Sequence, residues 1–230
     1  MQSMPESLVD IRKKRVMEMD KNITITIARG FGTGGKQIAS RVAERLGIEC
    51  YEHRILTMAS YITERDEKDL FDMDERLNGS YLKNKIKQLP KSLSPRAESK
   101  SFVSDSQLYD IQATIIRRLA DSEPCVIVGK CADYLFRDRD NVLSVYIEAP
   151  REFCVKRIME RLEVSEKEAH KKISATDKHR AAYYKFYTDG NYWTNPVNYD
   201  MTLNSARLGI DGCVNVILDA LKEKFGLTEA

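Results

Sequence analysis

A glycine-rich loop ending in a lysine is the stretch of this 230-residue chain whose residue types most clearly suggest a chemistry. Its residues are Gly30-Phe31-Gly32-Thr33-Gly34-Gly35-Lys36, with the spacing G-x-x-x-x-G-K. Glycines let successive backbone N–H groups approach an anion closely, and the lysine adds a full positive charge. The pattern therefore predicts a loop that binds phosphate groups, provided that the flanking elements place it correctly.

A strand must precede such a loop and a helix must follow it. Residues Ile23–Ile27 alternate isoleucine with threonine, which predicts a short buried strand. After Lys36 the apolar residues recur at helical spacing until Gly47, which predicts a helix that ends there. The loop would then lie at a helix N-terminus, whose partial positive charge also favours anions.

The residue after the lysine is Gln37, where many phosphate loops carry a serine or threonine that ligates Mg²⁺. Its amide oxygen could contact a metal, but a Mg²⁺ ion held mainly by nucleotide oxygens and water fits this loop better. The lone histidines His53, His170 and His179 have no metal-ligand spacing. We therefore predict no metal-binding side chains.

Composition argues against several classes of function. The chain has 37 Lys plus Arg and 35 Asp plus Glu, so its net charge of +2 favours neither nucleic acid nor a membrane as partner. The apolar runs are shorter than the ~20 residues of a spanning helix. The five cysteines are scattered without a C-x-x-C pair, which is typical of small core residues in a reduced, cytoplasmic protein.

Further strand and helix patterns alternate along the chain. The predicted strands after the first are Glu49–Tyr51, Cys125–Val128, Val142–Ile147 and Met201–Leu203. This alternation predicts an α/β fold in three αβα layers around a mostly parallel sheet of the P-loop NTPase type. The length fits a single domain over residues 1–230.

Two regions of the predicted domain differ from the rest. Residues from about 60 to 105 carry a charge cluster and a basic stretch with prolines, which we interpret as an inserted helical flap. A cation-rich region from about 156 to 190 is interpreted as a lid, with a capping box at Ser165 and Glu168. Just before it, Pro150 is expected to be the first residue of a helix whose apolar face includes Val155, Ile158, Met159 and Leu162.

Ligands collect at the carboxyl ends of the strands in an open α/β sheet, so the residues after each strand are the candidates for binding. Lys130 follows a buried strand and would point into that crevice, although a solvated turn lysine is an equally good interpretation. In the cationic region Arg157 and Arg161 share a helix face, as do Asp177 and Arg180. Phosphoryl transfer needs such fixed cations, although spacing alone does not show that they converge.

Aromatic residues are frequent near the end of the lid. They are Tyr183, Tyr184, Phe186, Tyr187, Tyr192 and Trp193. They could stack on a nucleotide base, but we favour the interpretation that much of this stretch anchors a helix end and the following loop to the core. His179, beside Asp177 and Arg180, could contact a substrate, but we favour the interpretation that it is a surface residue of its helix.

Several segments together resemble the cytidylate-kinase-like family, a group of P-loop proteins similar to bacterial cytidylate kinases. They are the glycine loop with its flanks, CVIVGKCADYLF at 125–136, the DKHRAAYY block at 177–184 and YDMTLNSARLGIDG at 199–212. The resemblance covers most of residues 22–222 and is weakest over 63–103. It implies ATP-dependent phosphorylation of a small acceptor, a nucleoside monophosphate such as CMP or dCMP, with ATP and Mg²⁺ as cofactors.

The resemblance also implies roles for individual residues. Lys36, Arg157 and Arg180 would stabilise the transferring group, and Arg54, Lys130, Asp177 and Arg180 would bind the acceptor. Lys130 stands where the family usually has an arginine, which replaces a bidentate donor by a point charge. The residues that would bind ATP are Gly30, Phe31, Gly32, Thr33, Gly34, Gly35, Lys36, Gln37 and Ile38.

Three other functions remain open at this point. The same core could phosphorylate another small metabolite, or it could bind nucleotides without catalysis. Nucleic-acid binding through the basic insert is the least favoured, because the net charge is close to neutral. The expected partners are therefore small-molecule nucleotides, with no nucleic acid and no membrane.

Overall fold

The structure, a computed structural model, describes residues 22–52, 54–55, 57–59 and 105–227. The chain forms two compact units, the first made of Met1–Cys50 and Pro124–Ala230 and the second of Tyr51–Glu123. The predicted flap at about 60–105 lies, apart from its last residue, outside the described residues. The single domain with a flap and a lid therefore stays a prediction.

Five parallel strands form one sheet, in the order β2-β3-β1-β4-β5. The strands are β1 (Thr24–Arg29), β2 (Glu49–Tyr51), β3 (Cys125–Val128), β4 (Val142–Glu148) and β5 (Met201–Asn204). The central strand β1 pairs with β3 on one side and with β4 on the other. The predicted α/β fold with a parallel sheet is confirmed, and each predicted strand lies where the structure has one.

Helices connect the strands. In chain order they are α1 (Gly35–Leu46), α2 (Asp105–Ser122), α3 (Ala132–Leu135), α4 (Arg151–Leu162), α5 (Glu166–Tyr187) and α6 (Ser205–Phe225). A 3₁₀ turn, Pro196–Asn198, precedes β5. Helix α2 belongs to the second unit, where the Tyr51 hydroxyl also donates a hydrogen bond to the Glu123 carboxylate. The helices of the first unit are the ones that position the glycine loop.

The central strand is buried on both faces, which explains its alternation of isoleucine and threonine. Ile23, Ile25 and Ile27 are buried in a core shared with α1 and α6. Thr24 and Thr26 point to the other face and are equally buried. Alternation of this kind usually indicates a half-exposed strand, but here β-branched side chains fill both faces of a central parallel strand.

The ends of the helices follow the sequence signals closely, with one correction. Gly47 ends α1 in the left-handed conformation, and Ser165 and Glu168 form the predicted capping box of α5. Pro150, however, precedes α4 as its N-cap residue with an extended ψ of 146°, so the helix begins at Arg151. Boundaries of this kind differ by a residue because proline is compatible with either position.

Helices α4 and α5 pack together through a small apolar cluster of their own. Cys154, Val155 and Ile158 of α4 contact Ala169 and Ile173 of α5. The predicted apolar face of α4 is thus correct for its first turns. Leu162 is 40 % exposed, because it lies in the last turn, just before the chain leaves α4 for α5.

The cysteines and helices of the described chain bear on two further predictions. Cys50 is half-buried and the other four cysteines are buried, as expected for core residues. Across the part of the chain that the structure describes, no helix combines the length and the apolar character needed to cross a bilayer. A cytoplasmic location stays a prediction.

Candidate active site

The predicted phosphate loop joins the carboxyl end of β1 to the N-terminus of α1. Gly34 is the N-cap residue of α1, with a φ of 84°, and it offers no side chain to cap the helix. A Cβ at Gly34 would lie 2.6 Å from Cδ1 of Ile210 and 3.3 Å from Nη2 of Arg157. Only glycine suits this position, and the uncapped helix end that results is an anion-binding geometry.

Hydrogen bonds from buried hydroxyl groups fix the shape of the loop. The Thr33 hydroxyl donates to the carbonyl of Gly30 at 2.9 Å and accepts the N–H of Gly35 at 3.3 Å. The Ser205 hydroxyl, at the start of α6, donates to the carbonyl of Thr33 at 2.6 Å. The loop is therefore preorganised, which lowers the cost of ordering it around a ligand.

Arg157 of α4 reaches the loop, as predicted for a residue that stabilises a transferring group. Its Nη2 donates to the amide oxygen of Gln37 at 3.4 Å, a long hydrogen bond, and lies close to Gly34. The Gln37 oxygen is therefore turned toward a cation in this structure. Lys36 lies in the first turn of α1 with an exposed side chain.

The lid residues Asp177 and Arg180 also lie on the loop. Asp177 Oδ1 accepts the backbone N–H of Phe31 at 2.8 Å, and Arg180 Nη1 donates to the carbonyl of Arg29 at 2.9 Å. The two side chains form an ion pair of 3.7 Å. The structure thus brings together the loop, Arg157 and the Asp177–Arg180 pair, which the sequence left separate.

The Asp177 carboxylate is only partly solvated. Burial raises its pKa above the ordinary value, although the Phe31 N–H and the charges of Arg180, Arg151 and Arg29 oppose that shift. Because the Phe31 N–H donates to the carboxylate of Asp177, it is oriented to bind an anion. The same N–H could donate to a phosphate oxygen in place of Asp177.

Phe31 links the loop to the lid in a way that the loop motif did not suggest. Its ring packs against the α4–α5 cluster. The guanidinium carbons of Arg161 and Arg180 lie 5.2 Å and 5.7 Å from the ring centroid. These distances are within the range of cation–π contacts, so a single loop side chain contacts both α4 and α5. In the sequence, this link was signalled only by an aromatic residue at one of the variable positions of the loop motif.

Lys130 and Arg54, the other predicted acceptor residues, are placed less directly. Lys130 follows β3, the neighbour of β1, and is half-buried with a φ of 59°. It therefore lies at the same edge of the sheet as the loop. Arg54 is a half-buried helical residue of the second unit, so the first unit alone does not contain it.

The aromatic segment divides into two groups. Tyr184 and Trp193 are buried, as the anchoring interpretation requires. Phe186 and Tyr192 are 72 % and 69 % exposed, so these two side chains are not part of the anchor. His179 is exposed on α5, as expected for a surface histidine.

A cavity of about 540 Å³ lies away from the loop, near the amino ends of β4 and β5. Its walls include Val142, Ser144 and Asp200, and none of the predicted site residues lines it. Its Lys224 is already paired with Asp200 at 2.8 Å. The glycine loop is therefore a better candidate for a phosphate site than this cavity.

A buried carboxyl group of the cavity wall ties α3 to α5. Asp133 Oδ2 accepts the hydroxyl of Tyr184 at 2.6 Å, and both side chains are buried. Burial raises the pKa of Asp133 to about 6, although the Tyr184 hydrogen bond favours the ionised form. The folded protein therefore binds a proton at Asp133 that the unfolded chain, with a pKa near 3.9, has already released at pH 5.

We expect Asp133→Asn to change the pH dependence of stability. Because the folded-state pKa is the higher one, the wild type loses stability as the pH rises from about 4 through about 6. Asparagine keeps an acceptor for Tyr184 without the buried charge. The free energy of unfolding of the variant, relative to that of wild type, should rise by on the order of 1–3 kcal/mol when the pH is raised from 5 to 8. Urea unfolding at the two pH values measures this change.

The control for this experiment is Asp138→Asn, which changes an exposed carboxylate close by. It measures how the loss of an exposed carboxylate changes the free energy of unfolding at pH 5 and at pH 8. An equal stability difference between Asp133→Asn and wild type at both pH values would show that Asp133 does not titrate in this range.

The described residues contain no group of three or more His, Cys, Asp or Glu side chains arranged to hold a metal ion. The described side chains around the loop include the cations Arg157, Arg180 and Lys36 and the carboxylate Asp177. Such a donor set suits a polyanion, and a Mg²⁺ ion would reach it on the oxygens of a nucleotide.

Comparison with known proteins agrees with this geometry. No curated protein matches the chain. One solved structure, an uncharacterized protein from Eubacterium ventriosum ATCC 27560, is 25 % identical with a TM-score of 0.64, over 87 % of this chain and 98 % of that one. The shikimate kinase from Bacteroides thetaiotaomicron is 13 % identical with a TM-score of 0.50, over 87 % of this chain and 98 % of that one. At this identity the likeness shows the fold alone.

The model of the cytidylate kinase-like family matches residues 24–207, which include every strand of the sheet and the glycine loop. The family and the P-loop kinase fold support phosphoryl transfer in general. They leave the acceptor open. The resemblance seen in the sequence is confirmed: the chain belongs to the cytidylate kinase-like family.

Proposed function

We propose that this protein transfers the terminal phosphoryl group of ATP to the phosphate of a small acceptor, a nucleoside monophosphate such as CMP or dCMP. The observation that carries the proposal is the preorganised loop with Arg157 on it and the Asp177–Arg180 pair beside it. Family membership supports the type of reaction. The nucleotide acceptor is inferred from the resemblance of the motifs to cytidylate kinases.

In this proposal the residues 30–38 bind the phosphates of ATP. Lys36, Arg157 and Arg180 stabilise the charge that spreads over the equatorial oxygens of the transferring group. Mg²⁺, bound with the nucleotide, would neutralise part of the phosphate charge. Its ligands would be phosphate oxygens and water, since Gln37 already accepts a hydrogen bond from Arg157.

The acceptor would be bound by Arg54, Lys130, Asp177 and Arg180. Its phosphate is already an anionic nucleophile, so in-line transfer needs no strong general base. Asp177 and Arg180 bind the loop in this structure, on the N–H of Phe31 and the carbonyl of Arg29. We infer that nucleotide binding replaces Asp177 at Phe31 by a phosphate oxygen and frees the pair to contact the acceptor.

A coupled assay of ADP release tests the proposed function. The protein is incubated with ATP and Mg²⁺ and with CMP, dCMP, UMP, AMP or GMP in turn, and the expected result is the highest kcat/KM with CMP or dCMP. Turnover only with a non-nucleotide metabolite would replace the acceptor class and keep the kinase. Tight ADP binding by calorimetry without turnover on any acceptor would indicate a non-catalytic nucleotide-binding protein.

A further inference from the structure

Arg29 lies at the junction of the two strands that bound the site, although the loop motif does not include it. It is the last residue of β1, directly before Gly30, and its side chain is half-buried. The side chain crosses toward β3, where a Cβ on Gly129 would overlap its Nη1 atom. Its own Cβ lies 2.5 Å from the position that a Cβ on Gly35 would take. Two glycines therefore make the space that the Arg29 side chain occupies.

The turn after β3 lies against the Arg29 guanidinium at Gly129. Gly129 has a φ of 72°, and Lys130 and Cys131 follow it with φ values of 59° and 54°. Left-handed conformations cost free energy in residues other than glycine and cluster at functional sites. Lys130 directly follows Gly129, the residue against which the Arg29 side chain lies. Arg29 and Lys130 thus follow neighbouring strands at the same edge of the sheet.

The charges around this point favour a dianion. Arg180, Arg151 and Arg29 are three cations whose charges act on Asp177, and Arg180 Nη1 donates to the Arg29 carbonyl. Asp177 is the carboxylate of the group, and the positive charge of Arg29 is among those that favour its ionised form. Three positive charges and one negative charge leave a formal +2. A phosphate monoester carries about −1.5 to −2 at neutral pH.

Arg29 and Arg157 approach the loop from opposite sides of β1. Arg157 comes from α4, which follows β4, and it contacts Gly34 and Gln37 on that side. Arg29 turns to β3, on the opposite side of β1. Transfer between two phosphates needs cations for both the donor and the acceptor. The opposite positions of Arg157 and Arg29 fit one cation for the donor phosphates and another for the acceptor phosphate.

We propose that Arg29 binds the phosphate group of the acceptor, with Gly129 and Gly35 accommodating its side chain. The inference rests on the proposed function. A guanidinium forms two parallel hydrogen bonds to a phosphate, which the ammonium of Lys130 cannot do. Arg29 then acts in substrate binding and orientation, and the loop Gly30–Lys36 binds the donor.

The test compares Arg29→Met and Arg29→Lys with wild type by calorimetry. The probes are ADP alone, CMP alone, and inorganic phosphate added to protein saturated with a non-hydrolysable ATP analogue. Arg29→Met should weaken binding of CMP and of inorganic phosphate about 10- to 100-fold and change ADP binding less than about threefold. Arg29→Lys should fall between wild type and Arg29→Met, since it keeps the charge and loses the fork.

Arg45→Met serves as the matched control, since Arg45 lies on α1 and its hydrogen bond to Asn215 is remote from the loop. Circular dichroism melts confirm that each variant folds. Equal weakening of ADP and CMP, or weakening of ADP alone, would overturn the inference. Failure of inorganic phosphate to bind the analogue-saturated wild type would overturn it as well.

The phosphate probe also separates this inference from the proposed function. If wild type binds inorganic phosphate in an Arg29-dependent manner but binds no nucleoside monophosphate, the nucleotide acceptor is wrong and the role of Arg29 stands. If CMP is phosphorylated while Arg29→Met leaves its KM unchanged, the proposed function stands and the role of Arg29 is wrong.

Discussion

Replacement of Lys36 by alanine is expected to lower kcat/KM for ATP-dependent transfer by about 10²- to 10⁴-fold, while the protein stays folded. The loop lysine would be the cation that bridges the donor phosphates and the group in transfer, and loss of one such preorganised charge has effects of this size. Its side chain is exposed in the first turn of α1, so its removal leaves no cavity in the core. The coupled ADP-release assay with the best acceptor measures the loss.

Lys156→Ala is the matched control for this substitution. Lys156 is exposed on α4, next to Arg157 in the chain. Its removal changes the net charge by the same amount and should leave kcat/KM within about twofold, as expected for an exposed residue outside the site. If Lys36→Ala retained wild-type activity, the assignment of a kinase would be wrong.

Arg157→Met is expected to lower kcat by about 10²- to 10³-fold with little change in ADP affinity. The guanidinium lies against Gly34 and Gln37, beside the loop rather than within its backbone cradle. Its charge would thus act mainly on the transferring group, and removal of one such donor typically costs a factor of this size. Methionine keeps the packing of the aliphatic stem. Steady-state kinetics and ADP calorimetry together separate the two effects.

Arg161→Met provides the comparison on the same helix. Arg161 lies four residues further along α4, is exposed, and contacts the ring of Phe31 rather than Gln37. Its substitution should cost no more than about tenfold in kcat, because a cation–π contact at an exposed site contributes about 0.5–1 kcal/mol. An equal loss for Arg157→Met and Arg161→Met would mean that the general positive charge of α4, and not the position of Arg157, matters.

Much of the fold follows from local signals in the sequence. The isoleucine–threonine run, the apolar Cys125–Val128 segment and Gly47 predicted β1, β3 and the end of α1 where the structure has them. Such signals act over a few residues, so they need no knowledge of the tertiary structure. The exposure of Leu162 could not be predicted in this way, because it depends on where the chain leaves α4.

The candidate site was only partly predictable. The glycine loop has its own motif, and the resemblance pointed to Arg157, Asp177 and Arg180. The contacts of Asp177 with Phe31 and of Ser205 with Thr33 join residues 146 and 172 positions apart. No local pattern encodes such contacts, because they depend on how α5 and α6 pack against the loop. The position of Arg29 against Gly129 is of the same kind.

The central place of β1 in the sheet has a consequence for the synthesis of the protein. β1 ends at Arg29, but its pairing partners β3 and β4 are complete only at Val128 and Glu148. At translation rates of about 5–20 residues per second, the nascent chain carries an unpaired, strand-forming segment for on the order of ten seconds. Ser205 emerges later still and completes the hydrogen bonds of the loop. The phosphate loop is thus translated well before the strands and the helix that fix its final shape.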